Sequence, residues 1–60
     1  MINRLKVGDL VRYIAYPDEH GMFVIVKSAP TAWWVTMISL DDTKEYIELW
    51  TAMEVISEDR

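Results

Sequence analysis

The sequence predicts an all-β domain, and three observations lead to that prediction. Five short apolar segments follow one another closely, each rich in β-branched and aromatic residues. Turn-forming residues separate them, and no segment has the apolar period of a long helix. The chain, residues 1–60, is short enough to form one domain that buries only about 60% of its unfolded surface. Short strands with close turns indicate a small barrel or sandwich.

The first three strands are predicted from their apolar runs. A turn at Gly8-Asp9 precedes a first strand over residues 10–16. The loop from Pro17 to Gly21 follows, because Pro presets a turn position and Gly takes positive φ. A second strand covers residues 22–27 and ends before Pro30. The third, over residues 33–40, has no Gly, Pro or charged residue, and we expect it at the centre of the sheet.

The last third of the chain is less regular. Residues 41–44 predict a tight polar turn that begins with two Asp residues. Residues 45–50 fit a strand or a helical turn, and we favour the strand. Residues 51–53 predict a single 3₁₀ turn before a short last strand over 54–56, and residues 57–60 form a polar end.

The net charge of −4 is unevenly distributed. Residues 1–12 carry three basic side chains and one acidic side chain, a net charge of +2. Residues 13–40 carry one basic and two acidic side chains (−1), and residues 41–60 carry two basic and seven acidic side chains (−5). Six scattered basic residues do not form the basic stripe that binds phosphates, which disfavours DNA or RNA as the main ligand. If the first and last strands pair, their opposite charges should meet across the ladder.

Composition narrows the class of protein further. Without cysteine there is no disulfide and no thiolate zinc site, and no stretch has the length and apolarity of a signal peptide or a membrane span. We therefore expect a soluble, unprocessed, cytoplasmic protein with no cofactor and no small-molecule substrate. The apolar fraction of 52% is high for so small a core. The excess is either an interaction surface or ordinary exposed apolar area.

Four motifs follow one another along the chain: Lys6-Val7-Gly8-Asp9-Leu10-Val11-Arg12-Tyr13, Gly21 at the start of an apolar strand, Trp34-Val35, and Met53-Glu54-Val55-Ile56. In this order they resemble SH3-like small barrels of the KOW, Tudor and CarD-amino-terminal kind, and short phage-encoded proteins of this pattern look especially similar. The resemblance implies a five-stranded SH3-like small barrel with a short 3₁₀ turn before the last strand.

Aromatic residues are the main candidates for binding a partner. Strand alternation sends Trp33 and Trp34 to opposite faces, so that one begins a partly exposed row. The alternative is that this Trp only covers the mouth of the core. A Tudor-like cage needs three or four aromatic side chains that converge on a methylated cation. The sequence supplies Tyr13, Tyr16, Phe23, Trp33, Trp34, Tyr46 and Trp50. Of these we predict six as partner-binding: Trp33, Trp34, Tyr13, Tyr16, Phe23 and Trp50.

Two acidic clusters invite a metal or acid–base interpretation. His20 follows Asp18 and Glu19, but ligands from consecutive loop residues splay apart, so a solvated turn is favoured. The Asp41-Asp42 pair with Glu45 lacks the spacing of a calcium loop, so a charged hairpin tip is favoured. No nucleophile motif or phosphate loop is present, and we expect no enzyme activity.

These observations lead to three functional hypotheses. The first is a non-catalytic protein–protein interaction module, such as a phage accessory or virion-assembly component. The second, by analogy with KOW and CarD-type barrels, is a nucleic-acid or transcription-complex binder in which Arg4, Lys6, Arg12 and Lys27 cluster on one face. The third is a homo-oligomer in which an edge strand pairs between copies.

Overall fold

The computed structural model describes residues 2–57 and contains five strands with one short 3₁₀ helix. The all-β prediction is confirmed. The elements are β1 (Leu10–Tyr13), β2 (Phe23–Lys27), β3 (Trp34–Ser39), β4 (Glu45–Leu49), η1 (Trp50–Ala52) and β5 (Met53–Ser57). Residues 45–49 form a strand, as we favoured, and the 3₁₀ turn begins one residue earlier than predicted. The polar end predicted for residues 58–60 lies outside the described residues.

The strands form one antiparallel sheet in the order β4-β3-β2-β1-β5. β3 lies between β2 and β4, so it is an interior strand, but the middle strand is β2 and the expected central position of β3 is wrong. β4 and β5 are the two edges, and no pairing between them closes the sheet. β1 pairs with β5, and there Arg12 Nε lies 2.6 Å from Glu54 Oε1. The predicted pairing of opposite charges between first and last strands is thus confirmed.

β1 is shorter than the predicted first strand because its pairing with β2 and with β5 stops by Tyr13. Pairing with β5 stops at Tyr13 opposite Met53, and pairing with β2 stops at Val11 opposite Phe23. Beyond Tyr13 the chain makes one further backbone contact, from Ile14 N to Ala52 O, before the loop begins. Residues 14–16 are therefore exposed despite their apolar character.

The core lies on one face of the curved sheet. Val35 and Met37 point inward from β3, while Trp34, Thr36 and Ile38 lie on the outer face. The buried apolar side chains are Leu5, Val11, Phe23, Ile25, Val35, Met37 and Met53. Because the core is so small, the total apolar area that it buries is limited. Each of these residues therefore makes a large contribution to stability.

The segment before β1 covers one end of the core through polar contacts. The backbone N–H of Asn3 donates to Pro30 O, and its side chain accepts from Leu5 N and donates to Ser28 Oγ. The carboxylate of Asp9 accepts from Lys6 N and closes the turn that contains Gly8. These bonds hold Leu5 in the core although the segment has no regular structure.

Candidate functional site

A cleft of about 380 Å³ lies between the β1–β2 loop and the β3–β4 turn. We call it the aromatic cleft, and its lining consists of Tyr13, Glu19, His20, Phe23, Ser39, Asp41, Asp42 and Tyr46. The rings of Tyr13 and Phe23 meet edge-to-face with centroids 5.5 Å apart, and those of Phe23 and Tyr46 with centroids 5.8 Å apart. The imidazole of His20 lies 5.3 Å from the Tyr13 ring. Three separate strands and one loop therefore bring aromatic groups to a single place.

The loop side of the aromatic cleft depends on Gly21. Its φ of 69° lies in the left-handed region, which L side chains rarely adopt. A Cβ at this position would collide with the carboxylate of Asp41 across the cleft. Glycine therefore allows the β1–β2 loop to approach the β3–β4 turn closely.

The turn side is built by local hydrogen bonds. The Oγ of Ser39, at the buried end of β3, accepts from the backbone N–H groups of Asp41 and Asp42 at 3.1 and 3.5 Å. Thr43 takes a φ of 59°, and Lys44 N donates to Asp42 Oδ1 at 2.9 Å. The turn thereby fixes Asp42, whose Oδ2 accepts from the Tyr46 hydroxyl at 2.5 Å.

The charge of the cleft follows from these contacts. The hydrogen bonds from the Tyr46 hydroxyl and from Lys44 N hold the pKa of Asp42 below its ordinary value, and the same carboxylate raises the pKa of Tyr46. Burial, and then the Tyr13 hydroxyl's bond to Glu48 Oε2 at 3.1 Å, raise the pKa of Tyr13. At neutral pH the phenols are neutral hydrogen-bond donors and Asp42 is an anion.

This combination suits a cationic ligand. Aromatic faces attract cations through their quadrupole, and Glu19, Asp41 and Asp42 add acidic groups to the lining. Among the described residues that line the cleft, none is Lys or Arg. No group of three or more His, Asp or Glu side chains within residues 2–57 is placed to hold a metal ion. The site is thus an aromatic and acidic surface rather than a ligand set for a metal.

The six predicted partner-binding residues divide into three places. Tyr13 and Phe23 lie in the aromatic cleft, and Tyr16 is joined to it through His20, whose ring lies 5.6 Å away. Trp33 precedes β3 and is 53% exposed, with its ring tilted over that of Trp50 at 6.5 Å. Trp34 lies on the outer face, away from the other five, and is 57% exposed. Both tryptophans are therefore accessible, on different parts of the surface.

Six of the eight residues that line the cleft are not among the predicted partner-binding residues, and they include Tyr46, His20 and Asp42. Tyr46 is one of the seven aromatic candidates for a cage but not one of the predicted partner-binding residues, whereas the sequence places His20 in a solvated turn and Asp42 at a charged hairpin tip. Alternation along β4 could have found Tyr46, because it shares the inward face with Met37, opposite it on β3. Nothing local could have placed His20 beside Tyr13, because the loop conformation determines that contact.

Two other grooves are less suited to a cation. The larger, about 510 Å³, lies along residues 2–7 against residues 28–30, and Arg4 and Lys6 line it. A shallow groove beside Trp34 includes Lys27. Arg12, the fourth cation of the nucleic-acid hypothesis, is engaged by Glu54.

Comparison with protein-family models, with curated proteins and with solved structures finds no match to this chain. Within residues 2–57, no helix has the length and apolarity needed to cross a membrane. We therefore infer the function from the site itself.

Proposed function

We propose that this protein is a non-catalytic protein-interaction module whose aromatic cleft receives a cationic side chain of its partner. The observation behind the proposal is that Tyr13, His20, Phe23 and Tyr46 meet in one cleft whose lining also carries carboxylates. The resemblance to Tudor barrels makes a methylated lysine or arginine the first ligand to test. A methylated cation is weakly hydrated and favours aromatic contacts.

The expected strength of such a contact is modest. Each cation–π contact contributes roughly 0.5–2 kcal/mol, so a cation held by two or three rings should bind at about millimolar concentration. Tight binding to a protein partner then requires additional surface. The exposed Trp33 and Trp34 are candidates for this surface, as the sequence suggested.

For the architecture we propose a small SH3-like barrel. The antiparallel order β4-β3-β2-β1-β5 and the 3₁₀ turn before β5 support this assignment. The bond between the Tyr13 hydroxyl and Glu48 also supports it, because it joins β4, one edge of the sheet, to β1, the neighbour of the other edge strand. In such a barrel the aromatic cleft lies at one open end.

The proposal is tested by titrating ¹⁵N-labelled protein with tetramethylammonium and with an acetylated, amidated trimethyllysine. We expect shifts in the backbone signals of Tyr13, His20, Phe23 and Tyr46, with saturation in the millimolar range. Tyr46→Leu should weaken binding at least fivefold, whereas the control Trp34→Leu, on the outer face, should leave it unchanged. Equal weakening by both variants, or shifts confined to residues outside the cleft, would overturn the assignment of the site.

The biological setting stays a prediction. Membership of a phage accessory or virion assembly is proposed from the sequence resemblance alone, and a cytoplasmic location is proposed from the composition of the chain. The nucleic-acid alternative also stays a prediction, and a binding constant that falls steeply with salt concentration would support it.

A further inference from the structure

The outer edge of β4 presents backbone groups to solvent. β4 ends the strand order, so no strand within residues 2–57 pairs with that side. Ser39 N donates to Lys44 O and Trp50 N donates to Trp33 O. These two bonds show which residues of β4 form hydrogen-bonded pairs with β3. Antiparallel ladders alternate, so the N–H and C=O groups of Tyr46 and Glu48 face β3. Those of Glu45, Ile47 and Leu49 face outward.

One of these outward groups is already occupied. The N–H of Leu49 donates to Glu48 Oε1 at 2.9 Å, so a side chain closes the edge at that position. Glu45 and Ile47 remain at the accessible part of the edge. An incoming strand can therefore pair over only a few residues, centred on Ile47.

The two faces beside this edge differ in chemistry. On the outer face, Ile47 is 67% exposed and lies opposite Thr36, next to Trp34. On the other face, Tyr46 lines the aromatic cleft and Glu48 accepts from Tyr13. The outer face also carries Glu45, so one face of an added strand would meet apolar side chains and one carboxylate, while the other would meet carboxylates and aromatic rings.

The charge of the segment selects the partner. Residues 41–49 contain Asp41, Asp42, Glu45 and Glu48 against the single cation Lys44. A second copy of this chain would bring two such acidic segments together, which like-charge repulsion opposes. A basic strand instead carries a charge opposite to that of residues 41–49 and is attracted along the whole edge.

We propose that an extended peptide with alternating basic and apolar residues adds to the sheet as an antiparallel strand beside β4. An apolar residue of the peptide lies opposite Ile47 and extends the outer face. Its two basic neighbours lie on the face of Tyr46 and Glu48, and one of them reaches the aromatic cleft. The cleft contact rests on the proposed function above, whereas the backbone pairing is a separate contribution.

The test uses the acetylated, amidated peptide Lys-Val-Lys-Val-Lys and two backbone-methylated forms of it. With Val opposite Ile47, the Val N–H groups point toward β4 and the Lys N–H groups point away. Methylating both Val nitrogens should weaken binding at least tenfold, and methylating the central Lys nitrogen should change it by less than threefold. On binding of the unmodified peptide, the amide signals of Glu45 and Ile47 should shift and exchange more slowly.

The outcomes separate the two proposals. If both methylated peptides bind like the parent while the cleft signals shift, the added strand is wrong and the cation site stands. If trimethyllysine binds in the cleft but none of the peptides binds, only the strand is wrong. If neither the peptides nor trimethyllysine binds, both are wrong. Self-association detected by light scattering, and abolished by Ile47→Lys, would show that a second copy occupies the edge instead.

Discussion

Replacing Gly21 with alanine should lower the free energy of unfolding by about 1–2 kcal/mol, because an L residue in the left-handed region costs roughly that amount. Gly21 has a φ of 69°, and the added Cβ would also collide with the Asp41 carboxylate. That carboxylate can rotate toward solvent at small cost, so the backbone accounts for most of the loss. Since a domain of this size has a total stability of only about 3–9 kcal/mol, the effect should be large.

The assay is thermal and urea unfolding of four proteins: wild type, Gly21→Ala, Asp41→Ala and the double variant. Asp41→Ala keeps the backbone bond from residue 41 to Ser39 and should be nearly neutral. We expect Gly21→Ala to unfold about 5–15 °C lower than wild type, and the double variant to recover only a small part of that loss. Full recovery would show that the collision dominates. A variant as stable as wild type would refute the left-handed conformation.

Three further predictions concern the turn and the surface. Tyr46→Phe should raise the pKa of the Asp42 carboxyl toward its ordinary value, as measured by ¹³C NMR. Because the folded-state pKa of Asp42 is lowered, the stability from this bond is present above about pH 4 and is lost as pH falls through the folded pKa. The difference in stability between wild type and Tyr46→Phe should therefore shrink in acid, and a constant difference from pH 7 to pH 2 would contradict this. Ser39→Ala should cost about 1–2 kcal/mol in urea unfolding, because two backbone donors of the turn lose their acceptor. A double-mutant cycle on Arg12 and Glu54 should give about 0.2–1 kcal/mol, decreasing with salt, because both side chains are partly exposed.

Local signals predicted most of the fold. The turns follow the backbone preferences of a few residues, namely Gly8, Pro17, Gly21 and the two Asp residues of the last turn. The apolar runs between these turns form strands. The contact between Arg12 and Glu54 was expected if the first and last strands paired, and the structure pairs them. The turns depend on a few residues that are close in sequence, and the contact between Arg12 and Glu54 depends on their opposite charges.

The candidate site was harder to predict because it depends on sheet curvature. Tyr13, Phe23 and Tyr46 lie on three strands, and only the register and bend of the sheet bring their rings together. The tryptophan pair shows the same limit. Alternation places Trp33 and Trp34 on opposite faces, but Trp33 precedes β3 and lies over Trp50 at the strand's end, so both remain exposed.

Phe23 links the site to the stability of the whole domain. Its side chain is only 4% exposed and belongs to the core, and its ring also contacts Tyr13 and Tyr46 in the cleft. The unfolded chain does not hold these rings together, so a cation that uses the cleft binds the folded state alone. At ten times its Kd such a ligand should add about 1.4 kcal/mol to the free energy of unfolding. Thermal unfolding with tetramethylammonium should show this increase in wild type and a smaller one in Tyr46→Leu, whereas sodium at equal ionic strength should produce neither. An equal increase in both proteins would mean that the cation acts elsewhere.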